Sequence, residues 1–350
     1  MSETQYNALT ERQHKSVNIQ QELEDINYKT IKQRGEIVPI TNLISDIDPI
    51  NLSLPPELKI PKLVETENYF FVYNVILSPS ESNIAKYDKQ GKFLNLFARK
   101  GRGPNEITKI DALNEKDNLL YVSNNGSIKI FNKEDEETDI KFLNIWAYDI
   151  HINKNDYDIR SPANRVFTFP VLTLDLKTDS VKFTISDPRK DVFNFKSSNN
   201  TTFYSNDTLI IYAKTPSNKI HFFSKKRKKF FEHYKIDSEI IRRNTETLTK
   251  NPTQNEFFKF YNALFLIDKI YLNNEILWIT FIDHKDKETH YYIGKVSLKN
   301  GTANNILPLK LYETSNLFKN VHFWGNHLYF YKRTKNDTEI NIYKILLSNL

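Results

Sequence analysis

"DNLLYVSNNGSIKIFNKEDEETDIKFLNI", residues 117–145, is a polar turn, a run of strand formers, a second turn and then two further apolar runs. Runs this short, rich in Leu, Tyr, Val, Ile and Phe and bounded by Asn, Asp and Gly, read as strands rather than helix. Gly126 in "NNGS" falls between two of them, where a positive φ suits a hairpin turn.

The layout returns along the chain. "ENYFFVY" from Glu67, "NRVFTF" from Asn164, "NDTLIIY" from Asn206, "NEILWIT" from Asn274 and "NHLYFY" from Asn326 each set a polar turn before four or five strand formers. A second and usually a third strand follows, as in "IAKYDKQGKFLNLF", "LTLDLKTDSVKFTI", "IHFFSKKRKKFFEHYKI" and "IGKVSLKNGTANNILPL". With Phe70, Leu120, Phe167, Ile210, Leu277 and Tyr329 as equivalent points, the units recur every 43 to 67 residues. A unit of about four strands cannot bury its faces alone and must stack on its neighbours. The expectation is an all-β fold, a six-bladed β-propeller with four-stranded antiparallel blades.

The last unit, "INIYKILLSNL", stops after its third strand and would leave an open edge. The segment "TIKQRGEIVPITNLI", residues 30–44, reads as strand and is expected to complete that blade, closing the ring by an N-terminal strand. Residues 1–28 are then a polar extension and 29–350 the propeller. The longest spacing holds a surplus at 237–262, where "DSEIIRRNTETLTKNP" and the capping-box pair Thr253 and Glu256 predict a short helical insert between blades 4 and 5.

Composition narrows the function classes. Hydrophobic residues at 39%, aromatic at 13% and charged at 26% describe a folded, strand-rich chain. There is no cysteine, which excludes disulfides, thiolate metal sites and cysteine nucleophiles. The longest apolar stretch, "YFFVYNVIL" at 69–77, is far shorter than the roughly 18 to 20 residues of a membrane-crossing helix. The first 28 residues hold no apolar signal-peptide core. A native start implies a cytoplasmic protein, and a removed leader a periplasmic or cell-surface one. Of the net charge of +6, five charges sit in "KKRKK" at 225–229. One basic hairpin tip is not a basic face, so nucleic acid is not the expected partner.

"YDKQGKFLNLFARKGRGPNEI", residues 87–107, carries a D-x-x-G-K-F hairpin at Asp88, Gly91, Lys92 and Phe93, then a K-G-x-G-P-x-E loop at Lys100, Gly101, Gly103, Pro104 and Glu106. It resembles the first-blade signature of the bacterial six-bladed β-propeller family related to NHL-repeat proteins. Asn105 departs from that family's usual residue before the glutamate. The resemblance implies the propeller fold and, for many family members, export.

On this reading 97–110 is the last strand of blade one, a tight corner and the first strand of blade two. The corner lies on the face that propeller ligands usually meet, with the turns at 78–82, 124–126, 215–217, 283–287 and 335–337. Arg99, Lys100, Arg102, Asn105 and Glu106 are therefore the expected ligand-binding residues. The loop is neither a P-loop nor a dinucleotide fingerprint, because no G-K-S/T and no helix follow its glycines and Pro104 removes a donor.

An enzymatic alternative is a calcium-dependent lactonase or esterase working in the central channel, with Glu65, Asp111, Asp149 and Asp268 as oxygen ligands. These acids do not form a matched set. "HINKNDYDIR", residues 151–160, is acidic but lacks an EF-hand's glycine and closing glutamate, and reads as an inter-strand loop. The eight histidines, at 14, 151, 221, 233, 284, 290, 322 and 327, include no close pair with metal spacing on a helix, and no serine stands in a G-x-S-x-G elbow. The sequence thus points to a non-catalytic scaffold for a protein or small-molecule ligand, with no catalytic residue, metal or cofactor expected.

Overall fold

The computed structural model describes residues 27–44, 47–56, 58, 61–74, 82–142, 147, 149–160, 171–178, 181–185, 201–214, 218–238, 265–285, 288–299, 306–314, 320–334 and 338–350. Over these residues the chain is all-β and propeller-like. One four-residue helix, α1 (Thr41–Ile44), and a 3-10 turn at Leu347–Asn349 are its helical elements there.

Strands follow one another as antiparallel meanders. The first sheet runs β4 (Pro61–Glu65), β5 (Phe70–Asn74), β6 (Ser82–Tyr87), β7 (Phe93–Lys100), β8 (Glu106–Ile107). The second runs β9 (Leu113–Lys116), β10 (Leu119–Asn124), β11 (Ser127–Phe131), β12 (Glu137–Phe142), and the third β13 (Asp149–Ile152), β14 (Asp156–Arg160), β15 (Val171–Asp175), β16 (Val181–Ile185). Two more meanders are β17 (Thr201–Ser205), β18 (Leu209–Lys214), β19 (Lys219–Ser224), β20 (Lys229–Asp237) and β21 (Phe265–Asn273), β22 (Ile276–Lys285), β23 (Glu288–Ser297), β24 (Ile306–Thr314). The last sheet is β25 (Asn320–Trp324), β26 (His327–Arg333), β27 (Glu339–Leu346) and β3 (Ile50–Ser53).

Local chemistry explains the hairpins. Asp117 and Asn118 (φ 52° and 61°), Asn125 and Gly126 (47° and 90°), and Asn274 and Glu275 (47° and 64°) all have left-handed backbones. Two consecutive left-handed residues make the type I′ turn, whose twist matches the flanking strands. Asn, Asp and Gly tolerate that region best, so the polar turns heading each unit mark real hairpins.

Three expectations are corrected. First, 30–44 does not complete the last sheet. β1 (Lys29–Gln33) lies parallel to both β20 and β24, pairing Ile31 with Ile236 on one side and Leu307 on the other. β2 (Val38–Pro39) continues along β24. Two meanders are thereby joined into one ten-stranded sheet. The physical reason is that β20 and β24 are both outer edges with unpaired amides, and one strand between them satisfies both. Ile31 is fully buried there. The last sheet is instead completed by β3, antiparallel to β27 with Leu52 opposite Ile340.

Second, residues 151–160 are a hairpin, with β13 and β14 on either side of Asn153. The acids disguised a strand: Asp158 is fully buried and accepts bonds from Asn153 Nδ2 at 2.7 Å and from Thr173 Oγ1. Buried polar groups survive when paired in this way. The segment read as that unit's strand, 164–169, lies outside the described residues. Third, the first strand of the second meander begins at Leu113, because Glu106 and Ile107 return alongside β7 as β8.

Nearly all of the proposed helical insert, together with residues 1–26, Gly301 and the turns at 215–217 and 335–337, lies outside the described residues.

The chain divides into two compact units. One holds residues 48–186 and 331–344. Its core packs Phe71, Tyr73, Phe97, Ile107, Val122 and Phe131 between the first and second sheets, and Ile128, Tyr157, Ile159 and Leu172 between the second and third. The other, within 19–47, 187–330 and 345–350, buries Ile31, Ile211, Phe222, Ile279, Phe281 and Leu309 in one cluster. Each such side chain contributes about 1.5–3 kcal/mol on burial.

Candidate functional site

Ala98, two residues before the end of β7, is in the left-handed region (φ 61°) just ahead of the K-G-x-G-P-x-E loop. Within the loop the Gly101 amide donates to the Ile107 carbonyl at 3.2 Å, and the Glu106 amide to the Gly103 carbonyl at 3.2 Å. The Glu106 carboxylate folds back, and Oε2 accepts from the Gly103 amide at 2.7 Å. A Cβ on Gly101 would stand 1.9 Å from that oxygen, and one on Gly103 3.1 Å. The two glycines make room for the loop's own carboxylate, which holds the amide an external anion would need.

Asn105 is left-handed (φ 57°), and its Oδ1 accepts from the Glu137 amide at 2.6 Å. Lys129 donates from Nζ to the Gly103 carbonyl at 3.0 Å and pairs with Glu137 at 2.5 Å. The Lys129 and Glu137 side chains are 4% and 9% exposed, so this pair is buried. A second staple, Lys86 with Asp135 at 3.0 Å, joins the first two sheets, with Lys86 also donating to the Lys133 carbonyl at 2.8 Å. Sequence reasoning missed Lys129 and Glu137. A lysine inside "SIKIF" gives no sign that it faces inward.

The structure therefore brings Asn105 and Glu106 together as internal ties, and places Arg99, Lys100 and Arg102 at the exposed rim of a corner held at several points. Such a corner fixes the backbone that carries the three cations, while their side chains stay exposed.

The acids weighed for calcium are engaged one by one. Glu65 is buried and pairs with Lys89, whose Nζ also donates to the Thr66 carbonyl at 2.5 Å. Burial lowers the Lys89 pKa, against the raising effect of Glu65. Asp111 pairs with Lys109 at 2.5 Å, and Asp149 lies 4.0 Å from His151. Asp268 accepts from Thr280 Oγ1 at 3.3 Å. Burial, then the fields of Tyr331, Asp149 and Asp111, push the Tyr73 hydroxyl well above its usual range. Among the described residues no group of three His, Asp or Glu is placed to hold a metal. His322 lies in β25 and His151 in β13.

Folding creates one histidine pair that the helix-spacing test could not find. His221 on β19 and His233 on β20 are directly opposed, and their Nδ1 atoms lie 2.9 Å apart. No helix of the described residues is long and apolar enough to cross a membrane.

No family model matches the sequence, and no curated protein matches it. Solved structures do. A Bacteroides fragilis protein inferred to be exported superposes with TM-score 0.57 at 11% identity, covering 91% of this chain and 99% of its own. A member of the duf4221 family from Bacteroides vulgatus gives TM-score 0.60 at 11% identity, covering 85% and 96%. A β-propeller domain from Myceliophteria thermophila gives 0.47 at 9%, covering 85% and 100%. At such identities the likeness is one of fold.

Proposed function

We propose that the chain is a six-bladed β-propeller acting as a non-catalytic binding scaffold, which meets an acidic protein segment or anionic ligand through Arg99, Lys100 and Arg102. Six meanders support the blade count, the two fused through β1 being counted separately. The observation that carries the function is the corner itself, tied by Glu106, Asn105 and Lys129 while its three cations face solvent. Asn105 and Glu106 act by positioning. The calcium-dependent hydrolase ranks below this reading, because Glu65 and Asp111 already hold lysine partners.

The test is fluorescence anisotropy of a labelled glutamate-rich peptide at low salt, with the unsubstituted chain and with Arg99→Glu/Lys100→Glu/Arg102→Glu. The expected result is salt-sensitive binding that the triple variant loses. Equal binding by both proteins would refute the assignment.

A further inference from the structure

His221 and His233 sit twelve residues apart in sequence but face one another across the β19–β20 ladder, at an Nδ1···Nδ1 distance of 2.9 Å. That separation is a hydrogen bond's, one ring's Nδ1–H donating to the Nδ1 of the other, and a metal ion can take that proton's place between the two nitrogens. We propose that the pair is a two-imidazole site for one divalent transition-metal ion of the copper, nickel and zinc class.

Geometry supports this. With metal–nitrogen bonds of about 2.0–2.1 Å, nitrogens 2.9 Å apart subtend about 90° at the metal. That is the cis angle of a square-planar or octahedral ion, and tetrahedral zinc needs the rings to open by only a few tenths of an ångström. Imidazole favours this class over calcium or magnesium, which seek oxygen. Binding requires the two rings to turn from their hydrogen-bonded orientation until both Nδ1 lone pairs converge on the ion. The ring that donates its Nδ1 proton shifts it to Nε2, both rings stay neutral, and water completes the coordination sphere.

The surroundings hold the rings in place. Tyr28 stands edge-on to both, with ring centroids 6.0 Å away, and Phe230 contacts both at 5.8 and 5.7 Å. Tyr212 lies 6.3 Å from His221. Charged neighbours are Lys219 and Lys235, paired across the same ladder, Lys219 resting over the Tyr28 ring at 4.7 Å, and Glu232 beside His233. The lysines oppose a dication, and the Glu232 carboxylate is already paired with Lys29 at 2.9 Å and accepts from the Tyr234 hydroxyl, so affinity is modest. Burial keeps His233 below the usual imidazole range, against the field of Glu232, which leaves it neutral and able to ligate at neutral pH.

The experiment is isothermal titration of the full chain with copper(II) or nickel(II) ions alone, alongside His221→Gln and His233→Gln. The expected outcome is one saturable site that weakens as acid protonates the imidazoles, that calcium does not occupy, and that either substitution removes. Copper(II) electron paramagnetic resonance of the unsubstituted chain should show two imidazole nitrogens, which decides the matter even if a variant fails to fold. Undiminished one-to-one binding by either folded variant, or a spectrum with fewer than two imidazole nitrogens, overturns the assignment.

Discussion

A methyl group on Gly101 would stand 1.9 Å from Glu106 Oε2, 2.4 Å from its Cδ and 2.9 Å from Oε1. All three nearest atoms belong to one side chain, and Gly101 is not in the left-handed region. Gly101→Ala therefore evicts the carboxylate rather than straining the backbone. What is lost is the 2.7 Å bond from the Gly103 amide. A hydrogen bond to a charged acceptor is worth about 1.5–3 kcal/mol, and Glu106 is only half-buried, which favours the lower part of that range. Glu106→Ala deletes the same bond and should cost about as much. With the carboxylate gone, the methyl has space, so the double variant should cost no more than either single one. The coupling energy in a double-mutant cycle is then about 1.5–2 kcal/mol. Urea denaturation of the four proteins measures it. Additive costs, or a neutral Glu106→Ala, would show that the carboxylate does not hold the corner.

Lys129→Met should cost about 3–5 kcal/mol, because it strands the buried Glu137 carboxylate, while Lys129→Met with Glu137→Leu should recover most of the loss. Denaturation midpoints check both, and a single-variant cost below about 1 kcal/mol would contradict the buried pairing. Burial raises the hydroxyl pKa of Tyr73, Tyr87, Tyr121, Tyr204, Tyr234, Tyr271 and Tyr291, that of Tyr271 to about 12. Unfolded tyrosines ionise near about 10, so the folded chain retains more protons above that pH and stability falls as pH rises from there through about 12. Tyrosinate absorbance equivalent to about seven of the nineteen tyrosines should appear only with the loss of far-ultraviolet circular dichroism. Ionisation of all nineteen near the ordinary value in a still-folded chain would go against this.

The candidate loop was legible as a corner and illegible as a mechanism. Gly101 and Gly103 announced tight backbone, and Arg99, Lys100 and Arg102 announced charge. That Glu106 occupies its own loop, and that Lys129 and Glu137 from the second sheet lock it, depends on contacts spanning 26 and 32 residues along the chain. No local pattern encodes those.

The turn-and-strand units were readable because their information is local: two left-handed residues at Asp117 and Asn118, or at Asn125 and Gly126, select hairpins wherever they occur. Strand runs such as "LLYVS" and "ILWIT" follow from side chains that pack on pleated surfaces. The pattern failed at Asp156–Arg160, where carboxylates occupy a strand whose polar groups are satisfied only across the sheet. It failed again over edges. Nothing in "KTIKQ" reveals that it will pair with both β20 and β24, or that "INLS" will close the last sheet. Edge pairing is chosen by which unpaired strands the finished fold leaves side by side. The same holds for His221 and His233, whose meeting was set by the register of one hairpin and its bulge at Phe222 and Phe223. Local chemistry determined the strands and turns, and tertiary structure alone decided which edges, charges and rings would meet.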